Sequence, residues 1–259
     1  MTTTSGAEVA RGTRTEERRY TFADNTSEGG ERWADRTRIV LTPVAAPSIL
    51  GLFGFFFATL LVGTHMAGWW GSVATTVAVF PVAIFLGGVA QFLAGMWAYR
   101  ARDGVATAMH GIWGGFWMAF GLYNLFVAVH VLPAVIPPKD VAFGFWFIPL
   151  ATITLMGALA ALARSLGMFA VLAPLATGSG FAAAGFIGGF SWCLVVAGWL
   201  FVLAAGFAWW TASAMMLKEA FGRTVLPTLE WKKAANIPGR EPGRPVEYAE
   251  GMPGARAGQ

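Results

Sequence analysis

Ser191-Trp-Cys-Leu-Val-Val-Ala-Gly-Trp-Leu-Phe-Val-Leu-Ala-Ala-Gly-Phe-Ala-Trp-Trp-Thr-Ala-Ser-Ala-Met-Met-Leu217 runs without a single charge into Lys218-Glu-Ala-Phe-Gly-Arg-Thr-Val-Leu-Pro227. The apolar part begins near Gly189 and exceeds the roughly 20 residues that carry a helix across a ~30 Å hydrocarbon core. The charged part is an amphipathic exit sequence rather than a plain basic loop. One such span decides the solvent of the whole chain, and the rest of the composition agrees with it.

Of 259 residues, 56% are hydrophobic and 12% are charged, and the mean hydropathy is +0.58. A soluble domain of this length carries about twice that charge. The charges are also segregated. Seven Arg and seven acids lie in residues 1–40, seven Lys/Arg and five acids lie from Lys218 onward, and only Arg100, Arg102, Asp103, Lys139, Asp140 and Arg164 interrupt the region between. These few charges mark loops of a polytopic membrane protein.

Breakers divide the middle into six helices, expected near 49–67, 73–99, 105–132, 142–163, 166–187 and 190–217. Pro47 and Ser48 precede the first, and Gly68 and Gly71 follow it. Arg100 to Gly104, Pro133 to Asp140 and Arg164 to Gly167 separate the next ones. No charge marks the last turn, placed between Gly185 and Gly189. The fold class is therefore an all-α membrane protein, a six-transmembrane-helix bundle. Arg100 and Arg102 lie in the second connection and Arg164 in the fourth, so the positive-inside tendency puts both termini in the cytoplasm.

Residues 1–40 are polar, with no apolar stretch able to serve as a signal-peptide core, and read as a disordered cytoplasmic tail. Residues 41–227 form the six-helix membrane domain. Residues 228–259, with Pro238, Pro242, Pro245 and Pro253 among glycines, read as a second disordered tail.

Several classes of function find no support. The net charge of +4 is accounted for by topology rather than by nucleic acid. A lone Cys193 and histidines scattered at 65, 110 and 130 offer no metal cluster. The glycine-rich stretch Gly111 to Gly115 lies in an apolar span and lacks the Gly-Lys-Ser/Thr of a phosphate loop. No cofactor is expected, and no nucleophile, base or metal constellation suggests an enzyme.

Helix faces are more informative. Gly87, Gln91 and Gly95 recur every four residues and share one face, where the glycines admit close approach and the amide avoids lipid. Gln91 reads either as a hydrogen-bonding group in a solute path or as a clasp between helices. His110-Gly-Ile-Trp-Gly-Gly-Phe-Trp117 places Gly111 and Gly115 one turn apart among aromatic rings, which suits packing. Gly180, Ala184 and Gly188 form a small-residue ladder for helix contacts, within or between subunits.

Four segments in order resemble the succinate/acetate permease family. Leu50-Gly-Leu-Phe-Gly-Phe55 is similar to its first-helix segment, and Gly87-Gly-Val-Ala-Gln-Phe-Leu-Ala-Gly95 to its Gly-Gly-x-x-Gln-x-x-Ala-Gly signature. Trp113-Gly-Gly-Phe-Trp117 and Glu219-Ala-Phe-Gly-Arg-Thr-Val-Leu-Pro227 complete the set. The chain departs from the pattern in Ala46-Pro-Ser-Ile-Leu-Gly-Leu52, which lacks the family's Asn and second Pro. It departs again at Ala98, where an acid is usual, and in Arg102-Asp-Gly-Val-Ala106, which replaces Gly-Asn-Thr-Phe-Gly. It is identified as a divergent member.

The resemblance implies a homohexameric ring with one path per protomer, closed midway by Phe55, Trp113 and Leu172. It makes Pro47, Leu50, Gly51, Leu52, Thr59, His65 and Gln91 candidates for lining the path or binding substrate. It assigns packing to Gly87, Gly88, Gly95, Phe116, Trp117, Glu219, Phe221, Gly222 and Arg223. His110 replaces an apolar family residue.

A bare anion in hydrocarbon costs on the order of tens of kcal/mol by an idealised Born estimate. With no Lys or Arg at mid-span, a path must use neutral donors, water and helix N-termini. The expected function is transport of acetate or another small monocarboxylate, with succinate also in view, through the inner membrane of a bacterium. The partners are the carboxylate, the bilayer and further copies of the chain. A channel for ammonia or another small neutral solute, and a sensory or assembly protein that transports nothing, are the competing readings.

Overall fold

In a computed structural model of the chain, residues 44–72, 76–133 and 139–230 are described. The expected tails, apart from the short piece 228–230, lie outside them. Six helices are long and apolar enough to span a membrane. They are α1 (Pro47–Met66), α2 (Val79–Arg100), α3 (Gly104–Ala128), α4 (Val141–Leu162), α5 (Leu166–Gly188) and α6 (Ser191–Phe221). The most extensive pairings are α4 with α5, α1 with α6, α5 with α6 and α2 with α3.

Two ends differ from the expected ones, each for a local reason. The expected start of the second helix at 73 lies outside the described residues; from Val79 on, Pro81 falls in the first turn, where a missing N–H costs nothing. α3 stops at Ala128 because His130 takes a left-handed φ of 63°. α6 continues through Lys218 and Glu219 to Phe221, and Gly222 at φ 64° ends it. The uncharged turn between α5 and α6 sits at Gly189, φ 74°, the left-handed cap that a glycine adopts without penalty.

Side-chain caps set three of the starts. Asp103 accepts from Ala106 N at 3.1 Å, Asp140 from Phe143 N at 3.0 Å, and Ser165 from Met168 N at 3.4 Å. Within α2, Ala83–Ala90 is a π-helix, a form in which each carbonyl reaches one residue further and the backbone widens. Gly54 of α1 lies against this widened stretch, so that a Cβ there would collide with the Leu86 carbonyl oxygen.

Glycines set the spacing on the α1–α2–α3 side. A Cβ on Gly95 would stand 2.7 Å from Gly111 N, and one on Gly114 would stand 2.7 Å from Phe92 N. Gly114, rather than the expected Gly115, is therefore the second glycine of α3 that packs. Gly180, Ala184 and Gly188 face outward, so the ladder on α5 is not used within the protomer. Glu219, Phe221, Gly222 and Arg223 are exposed as well. They do not pack against the bundle as expected: Glu219 and Phe221 lie in the last turn of α6, and Gly222 and Arg223 follow it.

A Gly54→Ala substitution should cost about 1–3 kcal/mol, since the added methyl meets backbone rather than a side chain that can move. Gly180→Ala, where the methyl meets nothing within 4 Å, should leave stability unchanged. Thermal unfolding of the two variants in detergent separates these outcomes.

Candidate transport path

Helical spacing puts Thr107, His110, Trp113 and Trp117 on one face of α3, and all four are buried. On α1 the facing set is Gly51, Phe55 and Thr59, also buried. The two faces meet in register. The ring of His110 lies against Gly51, where a Cβ would stand 2.5 Å from its Cε1. One turn on, Phe55 and Trp113 meet edge to face at 6.0 Å. Another turn on, Gly87 of α2 fits between Ala58 and Trp117.

Phe55, Trp113 and Leu172 are exposed by 2%, 2% and 4% and belong to one continuous apolar cluster. Phe55 and Trp113 of the expected constriction are in contact, and Leu172 of α5 is buried in the same apolar cluster. Trp113 is held from two sides: its Nε1 donates to Thr154 Oγ1 of α4 at 2.9 Å, and its ring packs against Phe116 at 5.3 Å. Each edge-to-face contact contributes about 0.5–1.5 kcal/mol beyond burial. The Thr154 contact was not legible, because it joins residues 41 apart.

Around this apolar plug the buried polar atoms lack partners within the described protein. They are Thr59 Oγ1, Gln91 Oε1, Thr107 Oγ1, Trp117 Nε1 and both ring nitrogens of His110. Interiors normally satisfy such atoms, and each orphan costs about 1–3 kcal/mol. Five side chains on three adjacent helices, on both sides of one constriction, form a line of open hydrogen-bonding positions.

At the end where the described chain both starts and finishes, a cavity is lined by Pro47, Ser48, Asp103, Ala106, Arg164 and Thr211, among others. The first turn of α1 borders it without a side-chain cap, leaving its N–H groups and dipole toward the space. Asp103 and Arg164 form a two-pronged ion pair across it, at 2.6 and 3.1 Å. The sequence marked both only as loop charges.

Residues 228–230, expected to open a disordered tail, instead close one side of this cavity. Leu166 N donates to Leu229 O at 2.9 Å, and Ser165 Oγ to Thr228 O at 3.4 Å. Glu230 pairs with Lys218 at 3.1 Å. Gly222 makes this return possible by turning the chain back after α6.

The remaining candidates divide. Pro47 borders the cavity, Gly51 and Leu52 are buried, and Gln91 is 2% exposed and faces inward. Leu50 is 49% exposed and points out of the bundle, so it does not line its interior. At the far end, His65 Nδ1 lies 3.1 Å from the Trp70 carbonyl oxygen. A carbonyl only accepts, so Nδ1 carries the proton, and the ring clamps the loop after α1. Tyr123 donates to Asp140 at 2.9 Å beside a bank of rings that includes Phe143 and Trp146. Among the described residues no group of three His, Cys, Asp or Glu could hold a metal ion.

A multi-pass membrane bundle whose orphaned polar groups line an interior interrupted by aromatic side chains is the build of a transport protein for small solutes. The chain belongs to the GPR1/FUN34/yaaH family, which it matches over residues 31–231. It is 29% identical over 196 residues to the succinate-acetate/proton symporter SatP of Escherichia coli K12, covering 72% of this chain and 96% of that one. An uncharacterized protein of Methanothermobacter thermautotrophicus is 28% identical over 197 residues, covering 74% and 95%. A solved structure of the bacterial acetate channel SatP superposes with a TM-score of 0.64 at 27% identity, covering 71% of this chain and 98% of that one.

Asp103→Asn keeps an acceptor for the α3 cap and loses the ion pair. Because Arg164 is 24% exposed, this should cost only about 1 kcal/mol. Asp103→Ala removes the cap as well and should cost about 1 kcal/mol more. Denaturant titration of both variants reads the difference.

Proposed function

We propose that this protein passes acetate or another small monocarboxylic acid across a membrane through a path inside each protomer. The observation that carries this reading is the edge-to-face contact of Phe55 with Trp113, set among unpartnered polar atoms on α1, α2 and α3. Apolar rings gate by excluding water, and the polar positions on either side offer a carboxyl group hydrogen bonds without a fixed cation to trap it. The names of the two SatP relatives point to the same solute class.

Arg100, Arg102, Arg164, Lys218 and Arg223 gather at the end that bears the cavity, whereas the far end carries Lys139. By the positive-inside tendency the cavity faces the cytoplasm, and a bacterial plasma membrane is the expected setting. There the uncapped start of α1 attracts anions, and Pro47 and Ser48 line the entrance. Gln91 and Thr59 supply hydrogen bonds beyond the constriction. The outward ladder of Gly180, Ala184 and Gly188 suits close contact between copies in a ring, for which six is the expected number.

Uptake of labelled acetate into liposomes carrying the purified protein, with formate, lactate, succinate and methylammonium as competitors, tests the reading. Competition by the short acids and not by methylammonium is expected. Trp113→Ala should raise flux several-fold and admit longer acids such as butyrate, because removing the indole opens the narrowest layer. Unchanged flux and selectivity would place the constriction elsewhere.

A further inference from the structure

We infer that His110 and Thr107 form a binding station for the undissociated carboxyl group of a small organic acid, on the cavity side of the Phe55–Trp113 contact. The inference rests on the reading of this chain as a carrier of such acids and names a site within it.

His110 is 3% exposed and neither ring nitrogen has a partner in the protein. A buried imidazole kept for packing is ordinarily tied through at least one nitrogen, as His65 is tied to the Trp70 carbonyl. Thr107, one turn below, is 9% exposed with its hydroxyl also unpartnered. Four helix hydroxyls, by contrast, bond back to their own backbone. Thr64 donates to Leu60 O, Thr152 to Ile148 O, Thr177 to Ala173 O and Ser179 to Leu175 O. Both His110 and Thr107 thus keep their hydrogen-bonding capacity for something other than protein.

Position says where that something comes from. Ala106, one turn before His110 on the same face, lines the cavity, and so does Pro47, one turn before Gly51. The His110 ring lies against the bare backbone of Gly51. A solute leaving the cavity inward therefore meets Thr107 and His110 next, before Phe55 and Trp113.

The donor and acceptor inventory selects the ligand. A neutral imidazole presents one N–H and one lone pair, and a hydroxyl presents both roles. An undissociated carboxyl group presents an O–H and a carbonyl oxygen and can satisfy both partners at once. A carboxylate can accept from the imidazole N–H and the Thr107 hydroxyl, but it leaves the ring lone pair unanswered and carries a full charge into an apolar site with no cation beside it among the described residues. The station is matched to the neutral acid, the form that also crosses an apolar constriction at least cost.

The test uses full-length protein with 15N-labelled histidine in liposomes, and acetate is the probe against chloride at equal ionic strength. Solid-state NMR resolves three imidazoles, and His110→Gln assigns one. The expected result is a saturable shift of the His110 nitrogens with acetate, half-complete near the KM for uptake. His110→Leu should raise that KM about tenfold, the equivalent of one hydrogen bond. His110→Gln, which keeps a donor and an acceptor, should raise it less, and Thr107→Val should act on KM more than on maximal rate. Should His110→Leu fail to fold, the NMR titration and Thr107→Val decide alone. If His110 nitrogens ignore acetate while the same liposomes take it up, or if KM is unmoved in both His110→Leu and Thr107→Val, the station is overturned and the transport reading stands. If the nitrogens respond and no acid crosses, the station stands and the transport reading falls.

Discussion

Everything in this bundle depends on how closely α1, α2 and α3 approach. Lipid supplies no hydrophobic drive to bring helices together, so contact between backbones must come from small residues that allow dispersion forces to act at short range. Gly54, Gly95 and Gly114 each face backbone atoms of a neighbouring helix at distances where a methyl group does not fit. The π-helical stretch Ala83–Ala90 widens α2 where Gly54 meets it. The wide helix and the missing side chain are two halves of one contact.

From that closeness follows the character of the interior. Three helices this near leave room between them for side chains and little else, and the larger side chains there are aromatic. Phe55 and Trp113 meet edge to face, and the indole N–H is fixed to Thr154. The middle of the path is therefore apolar and rigid, while the levels on both sides carry hydroxyl, amide and imidazole groups without protein partners. In the proposed path, an apolar plug with open hydrogen-bonding positions around it would let a neutral or briefly desolvated acid cross and offer little to a hydrated ion.

The charged end answers a different constraint. Asp103 caps α3 and holds Arg164, so one carboxylate both starts a helix and joins the α2–α3 and α4–α5 turns. The returning residues Thr228 to Glu230 tie the end of α6 to Ser165 and Leu166. Polar connections of this kind are affordable only outside the hydrocarbon, where water shares the cost of imperfect pairing. Here they also enclose a cavity bordered by Pro47 and Ala106, each one turn before Gly51 and His110.

Much of the fold was legible from the chain alone, because the bilayer demands about 20 apolar residues per crossing and tolerates charge only between crossings. Six spans, most of their ends and the inward face of Gly87, Gln91 and Gly95 followed from that length and from helical period. The ends that moved did so through single residues: His130 and Gly222. Phe55, Trp113 and Leu172 were reached by resemblance, since no spacing within one helix says which residues of three helices will meet. What only the tertiary structure decided was pairing at long separation: Asp103 with Arg164, Trp113 with Thr154, His110 with Gly51. It also decided that Leu50 and the α5 ladder face outward. Periodicity states which residues share a side of a helix, but the side turned inward depends on which neighbour comes closest, and that is settled by backbones packing in three dimensions.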